Sequence, residues 1–366
     1  MTHSDGIQIP RQWRATLRIA LVAALATVCW LGSAVAQAQG STHRLRIVGG
    51  LAGINQYVQH EAPFWTQTLA QLSSRRFSAE IVPFDRAGVP AQDMLRLMQL
   101  GVIPFGTAQI SRVVAQDAEF GAMDLAGLNP DLATLKKTVA AFRPYLETTL
   151  RQRFNIELLA VYIYPAQMVF CKQPMTSLHD LAGRRVRVTG ATAADFLQAF
   201  GAIPVASNLS DMVSKLKQGN FACAVTGSMS GNTVGLHEVT THIYTMPITW
   251  GVSLFGANQD DWNALDPALR ALLRQEMPKL EARIWEASER ETAEGIACNG
   301  GAELCRNGRK GHMVVVPATA HDERRRKEVL ESDILPKWLA RCGLNCVQIW
   351  NRTIGPVHNM TAQGSP

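Results

Sequence analysis

Charge is scarce and dispersed in this 366-residue sequence: 18% of the residues are Asp, Glu, Lys or Arg, and the formal net charge is +6. A nucleic-acid binder would gather its basic excess into stripes with aromatics among them. No such stripe is present, and Arg324 to Lys327 (RRRK) reads as a solvated helix face. Past the N-terminus no stretch approaches 18 consecutive apolar residues, which excludes a membrane span from the remainder. Internal repeats of fixed period and low-complexity segments are also missing, which argues against a solenoid or a disordered linker. What is there, 47% hydrophobic residues over 366 positions, suffices for a sizeable core or two lobes.

Catalytic signatures are missing as well. His237-Glu238-Val239-Thr240-Thr241-His242 has histidines five apart rather than four, so on a helix they diverge by about 140° and cannot share a metal from one face. Gly227-Ser228-Met229-Ser230-Gly231 places Met where a nucleophile elbow needs Ser. Gly49-Gly50-Leu51-Ala52-Gly53 has neither the dinucleotide fingerprint nor a P-loop lysine; a close ligand approach and a plain flexible turn both fit it. Neither an enzyme nor a metal or cofactor site is expected.

The N-terminus carries a secretion signal. Arg11, Arg14 and Arg18 precede an apolar run from Ile19 to Leu31, then the small-residue sequence Ala34-Val35-Ala36-Gln37-Ala38. The run is too short for a bilayer span, which needs about 20 residues, and Val28 before Cys29 argues against a lipoprotein. Residues 1–38 therefore read as a cleaved signal peptide, and the mature chain as an exported soluble protein. Losing three arginines and Asp5 leaves it a net charge of +4.

Export puts Cys171, Cys223, Cys298, Cys305, Cys342 and Cys346 in an oxidising space, where an even count favours disulfides. The shortest loops would close between Cys298 and Cys305 and between Cys342 and Cys346; pairing of Cys171 and Cys223 stays open. The spacings CNGGAELC and CGLNC differ from zinc knuckles.

Short strands alternate with helices along the mature chain, pointing to α/β layering. Leu45–Val48, Ser78–Phe84, Glu157–Tyr164, Gln167–Lys172, Arg185–Thr189, Ile203–Val205, Phe221–Thr226 and Met313–Val316 read as strands. Helices are expected over Ala62–Leu72, Asp93–Leu100, Ala193–Phe200, Asp211–Lys217 and His321–Ala340, with a long one starting at Pro267, capped by Asp266 and kinked by Pro278.

The most informative stretch is Ser177 to Gly190, SLHDLAGRRVRVTG. Its strand alternates Arg185 and Arg187 with Val186 and Val188, and burying the arginine face is costly unless an anion meets it. An arginine at a strand end aimed into a crevice suits a carboxylate, through two parallel hydrogen bonds. Pairing to a carboxylate of the protein itself fits the spacing too.

This stretch resembles the "DLkGlKiRV" segment of the solute-binding subunits of tripartite ATP-independent periplasmic (TRAP) transporters, DctP type. In the same order follow LRIVGG at the first strand, Met94-Leu95-Arg96-Leu97-Met98-Gln99-Leu100-Gly101, Phe105 to Ser111, and Leu216 to Ala224, so the resemblance spans Leu45 to Ile296. It implies a two-lobed periplasmic solute-binding (Venus-flytrap) α/β fold with a long kinked helix crossing the lobes. Residues 43–164 with about 253–290 would form one lobe and 165–252 with about 291–320 the other, followed by a helical, cysteine-containing extension over 321–366. Arg187 maps onto the family's carboxylate-binding arginine. Thr226 with Ser228, Ser230 and Asn232, and Gln109, fall at polar site positions. Only Gln167 stands where many members carry a second arginine, which favours a monocarboxylate, keto acid or hydroxy acid; Trp250 and Tyr244 could cover its apolar part or belong to the core. The implied protein is a monomer that hands an organic acid to TRAP membrane permease subunits. A sensor module feeding a membrane kinase, and less so an exported enzyme, are the other readings.

Overall fold

The computed structural model describes residues 43–363, so the expected signal peptide and Cys29 lie outside the described residues. The strands are β1 (His43–Gly49), β2 (Phe77–Pro83), β3 (Phe105–Gln109), β4 (Ile156–Tyr162), β5 (Gln167–Cys171), β6 (Arg185–Val188), β7 (Ile203–Ala206), β8 (Cys223–Gly227), β9 (His242–Thr249), β10 (Ser253–Asn258) and β11 (Val314–Val316). They form two sheets, ordered β2-β1-β3-β10-β4 and β11-β9-β5-β8-β6-β7. Each is mixed: β1 runs parallel to β3, while β10 lies antiparallel between β3 and β4. In the second sheet β6 is parallel to β7 and β8, and β5 is antiparallel to β8 and β9.

The helices that matter for the site are α1 (Met94–Gln99), α2 (Ile110–Val113), α3 (Leu132–Phe154), α4 (Ala191–Gln198), α5 (Ser228–Thr233) and α6 (Pro267–Gly300). α6 starts as its sequence dictates. The Asp266 carboxylate accepts the Ala268 N–H at 2.7 Å, Pro267 occupies the first turn, and Gly301 ends the helix at φ +79°. Its first half buries Leu269, Leu273, Met277, Leu280 and Ile284 with Trp65 and Phe255 of the first sheet's layer. Its second half lies on α5, where Gly295 is obligatory: a Cβ there would stand 2.3 Å from the Met229 backbone nitrogen. One helix is thus packed against both lobes, and it runs without interruption through Pro278.

The other two crossings are short. Residues 163–166 lead from β4 in the first sheet to β5 in the second, and residues 250–252 return from β9 to β10. The Asp124 carboxylate accepts the Trp250 N–H at 2.8 Å and the Val252 N–H at 3.2 Å, so the returning crossing is tied to the first lobe.

Cys298 bonds Cys305 and Cys342 bonds Cys346, the two local pairs expected. The open pair is settled too: Cys171 on β5 bonds Cys223 on β8, residues that face each other in that antiparallel ladder. After β11 come α7 (Ala320–Val329), α8 (Leu335–Cys342), α9 (Leu344–Arg352) and α10 (Ile354–His358). The helix expected over His321–Ala340 includes a wide π-type turn at Leu330–Ile334, just before Pro336, whose ring has no N–H for a regular helical bond. These helices touch both lobes: the Trp338 indole N–H donates to the Ala118 carbonyl at 2.7 Å, and Arg341 pairs with Asp195 of α4 at 2.7 Å.

Candidate functional site

The strand RVRV sends its two arginines to different fates. Arg185 opens β6 at the surface, where its Nε donates to the Asn220 carbonyl at 2.7 Å. Arg187, two residues on, is 1% exposed. Its Nε donates to the Ser207 carbonyl at 3.0 Å and its Nη1 to the Val225 carbonyl at 2.8 Å, while Nη2 is buried without a partner. The acceptors are backbone oxygens that follow β7 and lie on β8, so the neighbouring strands fix the guanidinium plane. No protein carboxylate takes part, which removes the internal ion pair that the spacing alone allowed. Burial, reinforced by Arg112, pulls the Arg187 pKa down to about 9; the side chain stays cationic at neutral pH.

Arg187 lines a cavity of about 900 Å³ between the two sheets. Gln109 at the end of β3, Gln167 at the start of β5, Thr226 on β8 and Ser230 on α5 line it too, so five of the expected site residues come together. Thr189 and Tyr164 add polar groups, and the Tyr164 hydroxyl is buried without a hydrogen-bond partner.

Four expected residues lie elsewhere. Ser228 turns from the cleft to α6, its Oγ donating to the carbonyls of Glu291 at 3.3 Å and Thr292 at 3.0 Å. The hydroxyl therefore seats α5 on the long helix. Trp250 is core: its indole N–H donates to the Asn129 carbonyl at 2.9 Å, an inward geometry that keeps the ring out of the cavity. Tyr244 is core as well, and Asn232 binds the Arg309 backbone at 2.7 Å.

Sequence reasoning missed a second arginine in the cleft. Arg112 on α2 lines the cavity from the first lobe; its Nη2 donates to Asn208 Oδ1 at 3.2 Å and its Nε is buried without a partner. Burial lowers its pKa. The premise of a single cleft arginine is thereby corrected. Nothing in the spacing of ISRV signals this role.

The glycine-rich turn after β1 borders the cavity. Leu51 and Ala52 line the cavity, and a Cβ on Gly50 would stand 2.7 Å from Glu61 Oε1, so a side chain there would have to displace that carboxylate. Glu61 lies behind the turn, fully buried, and accepts from the Gly50 N–H at 3.0 Å, Gln56 Nε2 at 2.8 Å and Thr107 Oγ1 at 3.1 Å. Burial pushes its carboxyl up to about 7 against those stabilising bonds. Asp124, at the crossing, is likewise pushed up to about 7 by burial.

A family model described as bacterial extracellular solute-binding protein, family 7 (DctP), matches residues 49–304. The chain belongs to that family. Its fold is similar to those of solved solute-binding proteins. DctP7 of Bordetella pertussis, an extracytoplasmic solute receptor binding pyroglutamic acid, is 19% identical with a TM-score of 0.72, over 85% of this chain and 99% of that one. DctP6 of the same organism, also binding pyroglutamic acid, is 19% identical with a TM-score of 0.74, over 84% and 98%. A TRAP periplasmic solute-binding protein from Desulfovibrio salexigens with bound orotic acid is 15% identical with a TM-score of 0.73, over 85% and 97%. At these identities the likeness carries the fold. No curated protein matches the chain.

Proposed function

We propose that this family 7 protein captures a small organic acid in the cleft between its lobes and delivers it to TRAP-type membrane permease subunits. The observation that carries the reading is Arg187: a buried cation held by two backbone carbonyls, with no carboxylate partner among the described residues and Nη2 left unpartnered, in the lining of a large polar-lined cavity. Charge-assisted bonds from such a group are worth about 1.5–3 kcal/mol each, more than the neutral groups around it supply. Similar folds described with bound pyroglutamic acid, orotic acid and, in a protein from Sulfurospirillum deleyianum, succinate support a carboxylate as the common chemistry. Capture works by hinge motion at the three crossings, and needs a ligand that prefers the closed state. The chain acts as a monomeric, periplasmic receptor released from its signal peptide, and binds its solute without turning it over.

A thermal-shift screen of small carboxylates tests this, since a ligand that binds the native state raises its melting temperature by mass action. Calorimetry on the hits should then show Arg187→Ala at least about tenfold weaker. Equal affinity in a folded Arg187→Ala protein refutes the assignment.

A further inference from the structure

Two arginines line the cavity from elements of the two different sheets, and among the described residues neither pairs with a carboxylate. Arg187 stands on β6 of the second sheet and Arg112 on α2, which follows β3 of the first. Each keeps one buried nitrogen without a partner, Arg187 Nη2 and Arg112 Nε. Arg112 also reaches across the cleft to Asn208 Oδ1 at 3.2 Å. The two guanidiniums feel each other, because Arg112 is one cause of the lowered Arg187 pKa. Asp85 and Arg86, the other charged residues lining the cavity, are both exposed and opposite in sign. Two desolvated like charges are unfavourable in an empty cleft, and an anion placed between them removes that cost.

We propose that Arg112 and Arg187 hold the same ligand carboxylate from opposite lobes, Arg112 through Nε–H and Arg187 through Nη2–H, so that Arg112 makes closure depend on the ligand's negative charge. The inference rests on the carboxylate reading above. It assigns specificity to a residue outside the segment in which the family pattern places a second arginine. A neutral amide of the same shape leaves both cations unmatched and is rejected. The Asn208 contact keeps Arg112 aimed across the cleft without consuming its Nε–H.

The test titrates the full chain calorimetrically with pyroglutamate, orotate and succinate, each beside its neutral amide. For every acid that binds the native protein, Arg112→Gln is expected to weaken binding by about tenfold or more and to shrink the preference for acid over amide by a similar factor. Arg112→Lys, which keeps the charge but not the planar fork, should recover part of the loss. A ligand-free measurement stands beside it: Arg112→Gln relieves the repulsion and raises the melting temperature, and the rise disappears in an Arg187→Gln background. An acid lost by Arg187→Gln but unaffected by Arg112→Gln overturns the role of Arg112 and leaves the carboxylate reading intact. Failure of the native protein to bind any of the three acids counts against the carboxylate reading instead. A melting temperature unchanged or lowered by Arg112→Gln overturns the inference independently of any ligand.

Discussion

The Asp124 carboxylate accepts the Trp250 backbone N–H at 2.8 Å, and with Val252 at 3.2 Å it ties down the strand by which the chain returns to the first lobe. These bonds satisfy donors that β-pairing leaves over at a crossing. Asp124→Ala strands both N–H groups, at a cost of about 1–3 kcal/mol each. The substitution should lower the urea midpoint clearly and weaken ligand binding, because the closed arrangement loses its fixed pivot. An unchanged midpoint would show that water replaces the carboxylate without penalty.

Stability should fall as pH rises toward neutrality. Glu61 and Asp124 sit near 7 in the native protein but close to their ordinary values, about 4, in the unfolded chain. Between these limits the native state holds protons that the unfolded state has released, so raising the pH favours unfolding until both groups are ionised in both states. His358 acts with the opposite sign: burial and Arg326 hold it near 4, so below 6.5 the unfolded chain takes up a proton the native ring refuses. The opposing slopes leave the net decline steepest between 6.5 and about 7. Urea titrations across roughly pH 5 to 8 check this, and Glu61→Gln should flatten the curve. A slope the variant does not change excludes Glu61 as its source.

The three disulfides should differ in what they contribute. Cys171–Cys223 closes a separation of 52 residues within the second sheet, whereas Cys342–Cys346 closes 4. Chain-entropy reasoning assigns about 4 kcal/mol to the first and about 2 kcal/mol to the second. Replacing Cys171 and Cys223 together by Ala should therefore lower the midpoint more than replacing Cys342 and Cys346. The reverse order would point to native-state packing, rather than loop closure, as the controlling term.

Legibility followed locality. Arg187 could be read from DLAGRRVRVTG only through the resemblance of that segment to the family pattern, because alternation puts Arg185 and Arg187 on one face and does not separate them. The start of α6 could be read from Asp266-Pro267, whose capping chemistry lies within two residues. Glu157–Tyr164 and Gln167–Lys172 could be seen as strands, yet nothing local says that β4 and β5 enter different sheets. The same limit hid Arg112, which comes to line one cavity with Arg187 through elements of two different sheets. Trp250 was equally open, since its direction is decided by Asp124 and Asn129, more than a hundred residues away in sequence.

Ser228 and Ser230 provide a last discrimination, because they sit two residues apart and face different partners. Ser228 Oγ is spent on the α6 carbonyls of Glu291 and Thr292, while Ser230 lines the cavity. Ser228→Ala is expected to lower stability by about 1 kcal/mol through looser seating of α5. Ligand affinity should stay within about twofold, since no contact to the cavity is lost. Ser230→Ala should do the opposite: it removes a hydroxyl from a residue of the cavity lining and leaves the Ser228 contact with α6 untouched, so affinity is expected to drop while the midpoint barely moves. Paired calorimetry and denaturation on the two variants separate the roles, and a crossed result, with Ser228 governing affinity, would place the ligand against the base of α5 rather than beside β8.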